Sequence, residues 1–335
     1  MQSPWLTRRF PEGLPFEALP AHVDRLRAFP ERAEQLLATI PPELRTLSDG
    51  RSWSLQREVG HLLDLEALGL RRLAELKSGA AELSPADMQN RRTYEARHDD
   101  VALEELLSAW RAERDQLVRE LSELNAAAAT RTALHPRLRQ PMHAVDLAHF
   151  IAEHDEHHLA RIEERLVRDH PELVHVADAR EADLGAITAI FNAIIATSTA
   201  IYREEPFALE ERRAWWQERV QRRYPVLVAR RGAEVLGFST FGDFRAAPGY
   251  RFTVEHSVHV APGQRGAGIG ERLVRALFPR AKLLGKHMMI AGTDSANAGS
   301  IRFHERLGFT RCAHLREVGF KHGRRLDLVF LQRAL

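Results

Sequence analysis

Two histidines at helical spacing in segment 151–162, which reads IAEHDEHHLARI, could bind a metal ion. If the segment is helical, one side of the helix is formed by positions 147, 150, 151, 154, 158, 162 and 166. All of these are apolar except His154 and His158, whereas His157 lies on the charged, solvent-facing side. Two buried histidines one turn apart can chelate one metal ion, and without a metal they need other hydrogen-bond partners. The segment is not the HEXXH motif of zinc proteases, because Asp155 follows the first histidine.

A glycine-rich turn at 262–270, PGQRGAGIG, is a second candidate site. It lies between an alternating strand pattern and an amphipathic helix. Glycine lets backbone amides approach an anion, and the N-terminus of the helix adds the positive end of its dipole. With the charge of Arg265, the turn is suited to binding a pyrophosphate, although it has neither the Walker A nor the GxGxxG pattern. The alternative is a turn with no chemical role.

The elements that must position these residues differ between the two halves of the chain. Up to about residue 168, apolar residues recur at helical spacing, and the stretches are separated by proline, glycine, asparagine or aspartate. The predicted helices cover 20–39, 54–77, 101–125 and 143–168. Four long helices with one apolar stripe each predict a four-helix bundle.

In the second half, short valine-rich runs typical of strands alternate with helical stretches. The runs are VHVADA, PVLVAR, EVLGFSTF, TVEHSVHV, HMMIAG and LDLVFL. The predicted helices lie near 181–196, 208–222, 269–284 and 297–307, and Pro279 is expected to kink or shorten the third. This pattern predicts an α/β domain. With the boundary near 169–174, the two domains should span 1–170 and 171–335.

Composition excludes several classes of protein. The 335 residues are 44% hydrophobic and 28% charged with a net charge of +2, which is ordinary for a globular protein and calls for neither nucleic acid nor a membrane partner. No apolar run reaches the roughly 18 residues that span a bilayer, and the N-terminus lacks the apolar stretch of a signal peptide. The single cysteine, Cys312, fits a reducing compartment. We therefore expect a cytoplasmic protein.

The second half resembles the GNAT acetyltransferases. The Arg/Gln-x-x-Gly-x-Gly/Ala pattern of the turn is similar to their acetyl-CoA loop, and 297–309 (NAGSIRFHERLGF) looks like their Asn-x-x-Ser…Gly-Phe segment. More narrowly, 192–206, 248–260 and 319–327 are similar to phosphinothricin and methionine sulfoximine acetyltransferases. The resemblance covers 173–335. It implies an α/β fold with a mixed, mostly antiparallel sheet and acetyl-CoA as the acyl donor.

The resemblance also implies which residues bind acetyl-CoA. Backbone groups of Val258, His259 and Val260 would hydrogen-bond the pantetheine arm as an added strand does. Asn297 and Ser300 would complete the site, although both residue types also cap helices and the two roles are compatible. The pyrophosphate would be held by the turn residues Arg265, Gly266, Ala267, Gly268, Ile269 and Gly270.

The strand before the turn offers a general base. An amino group that is protonated at neutral pH must lose a proton before it attacks a thioester, which requires a carboxylate or histidine near the acyl carbon. One face of the alternating strand carries Thr253, Glu255, Ser257 and His259. The resemblance places the family's catalytic glutamate at Glu255, about three residues before the strand should diverge beside the cofactor. Because Cys312 lies outside every matched motif, we expect direct transfer.

Tyr250 and Arg251, just before this strand, are the candidate acceptor-binding residues. They lie in a segment similar to the family's substrate-binding stretch, and arginine suits bidentate recognition of a carboxylate. Arg203 and Glu205 are weaker candidates, because a charged loop is usually only solvated. His304 stands near the position where many GNATs carry a tyrosine that protonates the leaving thiolate, so that role and helix packing both remain open.

The first half resembles the DinB/YfiT family of metal-binding four-helix bundles. A Trp-Ser helix start at 53–54, a His-Leu pair in mid-helix and a late His-x-x-x-His carry the resemblance. It implies that His61, His154 and His158 coordinate a divalent metal and leave positions open for water or a thiol. The ligand chemistry allows Zn, Ni or Fe. A structural or vestigial metal site is the alternative.

Together the patterns predict an acetyl-CoA-dependent N-acetyltransferase fused to a metal-binding bundle. Its acceptor would be the amino group of an amino acid or analogue of the phosphinothricin or methionine sulfoximine type. One alternative is a metal-dependent thiol-S-transferase with an auxiliary acetyltransferase domain. Another is a non-catalytic metal- or ligand-binding module attached to an acetyltransferase. The oligomeric state stays open, a homodimer included.

Overall fold

The chain folds into two compact units. They span Met1–Leu166 and Val167–Leu335, in a computed structural model that describes residues 5–38, 40–48, 50 and 52–335. Within these described residues, no helix is both long enough and apolar enough to cross a membrane.

The first unit is built on four long helices, as the apolar spacing predicted. Its helices are α1 (Leu19–Leu37), α2 (Pro42–Arg45), α3 (Leu55–Ser78), α4 (Arg91–Glu95), α5 (Leu103–Ser122), α6 (Ala126–Ala129) and α7 (Ala144–Asp169). Two short strands, β1 (Ala133–Leu134) and β2 (Pro141–Met142), pair antiparallel just before α7. The long helices α1, α3, α5 and α7 each bury one stripe against the others, which confirms the predicted bundle.

Helix α3 begins and ends at residues suited to those positions. Ser54 caps its N-terminus, because its hydroxyl accepts the backbone N–H of Arg57 at 2.9 Å. Gly79 closes its C-terminus in the left-handed conformation, with φ of 78°, which glycine adopts without strain. His61 is one of the residues that α3 buries.

A buried ion cluster joins three of the long helices. Arg114 of α5 donates to Asp155 of α7 at 2.7 Å and through Nε to Glu66 of α3 at 3.0 Å. The indole of Trp110 also donates to Glu66, at 2.8 Å. All four side chains are almost completely buried, and burial raises the pKa of Asp155 to about 7 although Arg114 opposes the shift. Charges this deep are tolerated only when they are paired.

The second unit is a seven-stranded sheet with helices on both faces. Its strands are β3 (Val174–Asp178), β4 (Val226–Arg231), β5 (Glu234–Asp243), β6 (Thr253–Val260), β7 (Met288–Asp294), β8 (Thr310–Lys321) and β9 (Arg324–Ala334). Its helices are α8 (Leu184–Thr197), α9 (Leu209–Gln221), α10 (Ile269–Leu283) and α11 (Ala298–Arg306). The strand order is β3-β4-β5-β6-β7-β9-β8, and β6 and β7 run parallel while the other neighbours run antiparallel. The mixed, mostly antiparallel sheet is confirmed.

Alternation along the strands gives the sheet two buried faces. On β4, Val226 and Val228 pack with α8 residues such as Ile187. The intervening Leu227 packs with α10 residues such as Leu273. Successive side chains of a strand point to opposite faces, so the valine-rich runs reflect burial on both sides.

Two features of the second half differ from expectation. Helix α10 continues through Pro279 to Leu283, so the proline does not shorten it. Strand β8 was not predicted, because it forms the edge of the sheet and most of its side chains are exposed, which removes the apolar alternation. It joins β9 through His322 and Gly323, whose φ angles of 51° and 72° suit a two-residue hairpin turn.

Replacing Arg114 with methionine should destabilise the first unit strongly. The change leaves Glu66 and Asp155 buried without their cation, and we expect a loss of about 3–5 kcal/mol in the free energy of unfolding. Urea unfolding followed by circular dichroism measures the change. Arg119→Met, at an exposed position of the same helix, is the matched control. Equal losses in the two variants would contradict the role assigned to the ion cluster.

Candidate functional site

Glu255 lies inside the sheet, between Gly242 of β5 and Ile290 of β7. Its side chain is partly buried, and this burial raises the pKa of the carboxyl group, while the positive charge of Arg245 lowers it by less. A carboxyl Oε1 lies 3.0 Å from the position that a Cβ on Gly292 would occupy. The absence of a side chain at 292 therefore leaves the space in which the carboxylate sits.

Strands β6 and β7 separate just beyond Glu255. Their pairing covers Thr253–His256 of β6, while β5 remains paired with β6 as far as Val260. Strand β7 instead stays with β9 up to Asp294. The divergence comes one residue after Glu255 rather than about three, and the backbone of 257–260 is paired with a strand on the β5 side only. The residues expected to bind pantetheine, Val258, His259 and Val260, lie in this segment.

His259 shares the face of Glu255 but contacts aromatic rings. Its ring lies 4.9 Å from that of Phe191 and 5.2 Å from that of Phe238, centroid to centroid. Burial, and to a lesser extent Arg212 and Arg265, lowers the pKa of His259 to about 4, so it is neutral at pH 7. Its side chain therefore packs, and a role in binding falls to its backbone.

The glycine turn leads directly into α10. Gly263, Gly266 and Gly268 have φ of 82°, 86° and 75°, in the left-handed region that disfavours residues with a side chain. Gly268 is the N-cap of α10, whose first amides have no partner within the helix. Arg265 is exposed in the turn. The arrangement has the features of an anion site: glycine backbone that an anion can approach closely, a helix N-terminus and a cation.

Asn297 and Ser300 start α11. The Asn297 side chain accepts the backbone N–H of Ser300 at 3.0 Å, so the capping role is present. His304 lies one turn further on, buried, and its Nδ1 donates to the carbonyl of Ser300 at 2.8 Å. Its ring packs on His256 at 5.1 Å, and burial lowers its pKa. The contacts of His304 are those of a packed helix residue.

Tyr250 and Arg251 are exposed on a single 3-10 turn before β6. The guanidinium of Arg251 lies 4.4 Å from the ring centroid of Phe252 and donates to the carbonyl of Pro248 at 3.3 Å. Sequence reasoning missed Arg245, whose positive charge lowers the pKa of Glu255.

Arg203 and Glu205 hold their own loop together. Arg203 stacks 3.7 Å from the ring centroid of Phe207 and donates to the backbone carbonyl of Glu205 at 2.7 Å. It also pairs with Glu211 at 3.3 Å. These contacts fit a loop-stabilising role.

In the first unit, His61 of α3 meets His154 and His158 of α7. One ring nitrogen from each histidine lies within 4.8 Å of the others, and the Nε2 atoms of His154 and His158 are 3.2 Å apart. Burial lowers the pKa of His61 to about 4 and those of His154 and His158 well below their usual value, so all three are neutral, as metal ligands must be. The structure thus brings together the three histidines named from sequence.

Hydrogen bonds at Nδ1 orient two of these rings. The Nδ1 of His158 donates to the buried carboxylate of Glu58 at 2.5 Å. The Nδ1 of His61 donates to Thr93 Oγ1 at 3.0 Å, since that hydroxyl itself donates to Asp64 at 2.8 Å. Both rings are left with Nε2 as the electron-pair donor, which is the arrangement of ligating histidines backed by carboxylates. Sequence reasoning missed Glu58 and Asp64, although each lies three residues from His61 on the same helix, where side chains are neighbours.

His157 corrects an expectation. It was assigned to the solvated side of α7, but it is only partly exposed, because Trp5 stacks on it with ring centroids 5.7 Å apart. The N-terminal segment that supplies Trp5 lies outside the predicted helices, so helical spacing could not reveal the contact.

A cavity of about 610 Å³ adjoins the three histidines. Its walls include aromatic and aliphatic side chains such as Trp5, Trp53, Leu65 and Phe150. This volume lies within the range of small-molecule sites.

Comparison with known proteins identifies both halves. Residues 187–309 match the acetyltransferase (GNAT) family model, and residues 25–162 match that of the DinB superfamily. The L-methionine sulfoximine/L-methionine sulfone acetyltransferase of Pseudomonas paraeruginosa is 48% identical over 158 residues, which cover 47% of this chain and 92% of the relative. The chain belongs to the GNAT acetyltransferase family.

Two further relatives align with the same fraction of this GNAT protein's chain. The L-amino acid N-acyltransferase MnaT of Escherichia coli is 42% identical over 157 residues, covering 47% of this chain and 91% of the relative. The phosphinothricin N-acetyltransferase of Alcaligenes faecalis is 38% identical over 157 residues, covering 47% of this chain and 80% of the relative. The expected resemblance to these acetyltransferases and to the DinB bundles is confirmed.

Substituting Gly292 with alanine should impair this acetyltransferase. The new Cβ would lie 3.0 Å from Glu255 Oε1 and displace the carboxylate, and a displacement of about 1 Å can cost up to about 100-fold in rate. The rate of acetyl transfer, measured as free CoA release, tests the expectation. Gly185→Ala, where a Cβ meets nothing within 4 Å, is the control. Full activity in Gly292→Ala would show that the carboxylate position does not matter.

Proposed function

We propose that the GNAT unit transfers the acetyl group of acetyl-CoA to the amino group of an amino acid or analogue, of the phosphinothricin or methionine sulfoximine type. The observation that carries the proposal is the partly buried carboxylate of Glu255, with its raised pKa, one residue before β6 and β7 part. The named substrates of the relatives support the class of acceptor.

In this proposal Glu255 is the general base. It takes a proton from the acceptor's ammonium group, and the free amine then attacks the acetyl carbon while the carbon–sulfur bond breaks and the thiolate of CoA leaves. A carboxyl group with a raised pKa accepts a proton more readily than an ordinary one. Transfer is direct: Cys312 lies on β8, at the sheet edge and separated from β6 by β7 and β9, with its Sγ 3.4 Å from the carbonyl of Phe330.

The donor's site in this proposal follows the sequence expectation. The backbone of Val258, His259 and Val260 binds the pantetheine arm, and the turn from Arg265 to Gly270 binds the pyrophosphate. Asn297 and Ser300 lie at the start of α11 beside it. The unpaired side of 257–260 and the three left-handed glycines support this assignment.

Tyr250 and Arg251 position the acceptor. Their exposure just before the strand that carries Glu255 supports this role, and a guanidinium is suited to the carboxylate that every amino-acid acceptor presents. Arg245, whose charge acts on Glu255, is a further cation for the same carboxylate.

Glu255→Gln should slow acetyl transfer strongly and retain CoA binding. Removing a general base typically costs about 100- to 10,000-fold. In the wild type, activity should also fall as the pH drops through the raised pKa of Glu255, because a protonated carboxyl cannot take a proton; the variant should lack this acidic limb. CoA release across a pH series, with phosphinothricin and methionine sulfoximine as acceptors, measures both effects.

Glu234→Gln is the matched control, because Glu234 is exposed at the start of β5 and pairs with Arg231 at 2.8 Å. Unchanged turnover in Glu255→Gln would remove Glu255 as the base.

We further propose that His61, His154 and His158 bind one divalent metal ion, Zn, Ni or Fe. The cluster of three ring nitrogens, two of them oriented by hydrogen bonds at Nδ1, supports it, as does the DinB match. Such an ion can activate a bound water or thiol. The adjoining cavity favours a ligand-binding metal centre over a purely structural one.

Alanine at His61, His154 or His158 should abolish metal binding, because each change removes one of three ligands. Elemental analysis of protein purified without a histidine tag measures the stoichiometry. His157→Ala, in the same segment, should keep its metal. Acetyl transfer should persist in all four variants. Loss of acetyl transfer together with the metal would contradict the independence of the two sites. The thiol-transferase alternative predicts instead that the three ligand variants abolish the protein's main activity, carried by the bundle.

A further inference from the structure

The cavity beside the histidines carries a second polar group of residues, Arg72, His135 and Arg137. They surround one aromatic wall: Phe150 lies 5.1 Å from the His135 ring and 5.7 Å from the Arg137 guanidinium, measured to its centroid. Trp5 lies 5.7 Å from the same guanidinium and 5.0 Å from the ring of His154. The basic cluster is thus next to the histidine site and shares its cavity.

Arg137, like Arg72, forms no ion pair with a carboxylate among the described residues, unlike Arg114 and Arg161 of the same cavity. Arg114 is paired with Glu66 and Asp155, and Arg161 lies 3.0 Å from Glu58. Arg137, by contrast, donates to the backbone carbonyl of Leu6 at 3.0 Å and stacks on rings. Partial burial lowers its pKa.

Arg72 contributes a second cation. It is almost completely buried and its Nε donates to the carbonyl of Ser84 at 2.9 Å. Burial lowers its pKa to about 10, Glu75 opposes the shift, and Arg137 adds to it. Within this cluster, two guanidinium charges lie beside one carboxylate, Glu75, so an anion with a single negative charge would balance the cluster.

His135 adds a neutral donor. Its Nδ1 accepts the backbone N–H of Leu138 at 3.2 Å, and burial with the two arginine charges lowers its pKa to about 4. The neutral ring therefore carries its proton on Nε2. Within the part of the chain that the structure describes, neither this Nε2 nor Arg137 Nη2 has a hydrogen-bond partner, although both are buried. Buried donors of this kind are normally satisfied by a ligand or water.

We infer that the cavity of the helical unit binds a small organic monocarboxylate, whose carboxylate lies at Arg137, Arg72 and His135 and whose apolar body lies against Phe150, Trp5 and the leucines of the cavity wall. The volume of about 610 Å³ suits a molecule of this kind. A carboxylate fits the planar guanidinium and balances Arg72, Arg137 and Glu75 taken together, whereas a phosphate dianion would bring more negative charge than this cluster offsets. The site goes beyond the proposed acetyl transfer, and it does not require the metal.

A matched set of probes tests the inference on the full chain: 4-phenylbutyrate, its uncharged amide, and 3-phenylpropyl phosphate, titrated by calorimetry with and without added Zn²⁺. The carboxylate should bind at least about 10-fold more tightly than the amide, as expected for hydrogen bonds to a charged group. Arg137→Gln should remove this preference and leave the affinity for the amide unchanged, and Arg137→Lys should retain part of it. Arg72→Gln should weaken carboxylate binding in the same direction.

Arg139→Gln is the control, because Arg139 is exposed on the same segment and pairs with Glu82. The inference would be overturned if acid and amide bind equally, if neither binds, or if the preference for the acid survives Arg137→Gln. Tighter binding of the phosphate would overturn the choice of a carboxylate. Metal content and CoA release, measured on the same samples, report on the other proposals separately. If the purified protein contains no metal but still prefers the acid, the proposed metal site is contradicted and the carboxylate site is not.

Discussion

Backbone pairing along β6 is the constraint on which the acetyltransferase site depends. Up to His256 the strand is hydrogen-bonded on both sides, so Glu255 is held by a rigid part of the sheet. Beyond that residue β7 follows β9, and β6 keeps only β5 as a partner. Glu255, the proposed base, is therefore held at a fixed position, and a strand edge lies beside it. Backbone groups at such an edge need partners. The glycine turn that continues β6 leads straight into the N-terminus of α10, so the edge, the turn and the helix dipole follow one another along a single stretch of chain.

The helical unit depends on a different constraint: its buried polar side chains are held in ion pairs or hydrogen-bonded pairs. Glu66 and Asp155 neutralise Arg114, Glu58 accepts from His158, and Asp64 holds Thr93 and through it His61. Each pairing also fixes an orientation, because a hydrogen bond at Nδ1 determines which imidazole nitrogen is left to face the cavity. Arg137 lacks such a pair: among the described residues it has no carboxylate partner and donates to the backbone carbonyl of Leu6.

Much of both units could be predicted because their helices and inner strands each bury a regular stripe or face. The four long helices, the six predicted strands and the inward direction of His154 and His158 all follow from that periodicity. Strand β8 was not predicted because an exposed edge strand has no apolar alternation. The expectation that Pro279 shortens α10 was wrong because a proline in a helix costs stability without necessarily ending the helix. The placement of His157 was wrong because a residue far away in sequence, Trp5, covers it.

The sequence by itself determined the local and periodic features: which stretches form most helices and strands, where glycine permits a left-handed turn, and that His154 and His158 face inward. These depend on neighbours within a few residues, which a sequence displays directly. Only the tertiary structure decided the features that join distant segments. Examples are the point at which β6 leaves β7, the carboxylates behind His61 and His158, the Arg114 cluster, and the meeting of Arg72, His135 and Arg137 in one cavity. The reason is physical: a hydrogen bond or charge interaction is set by the distance between two groups in space, and separation along the chain does not determine that distance.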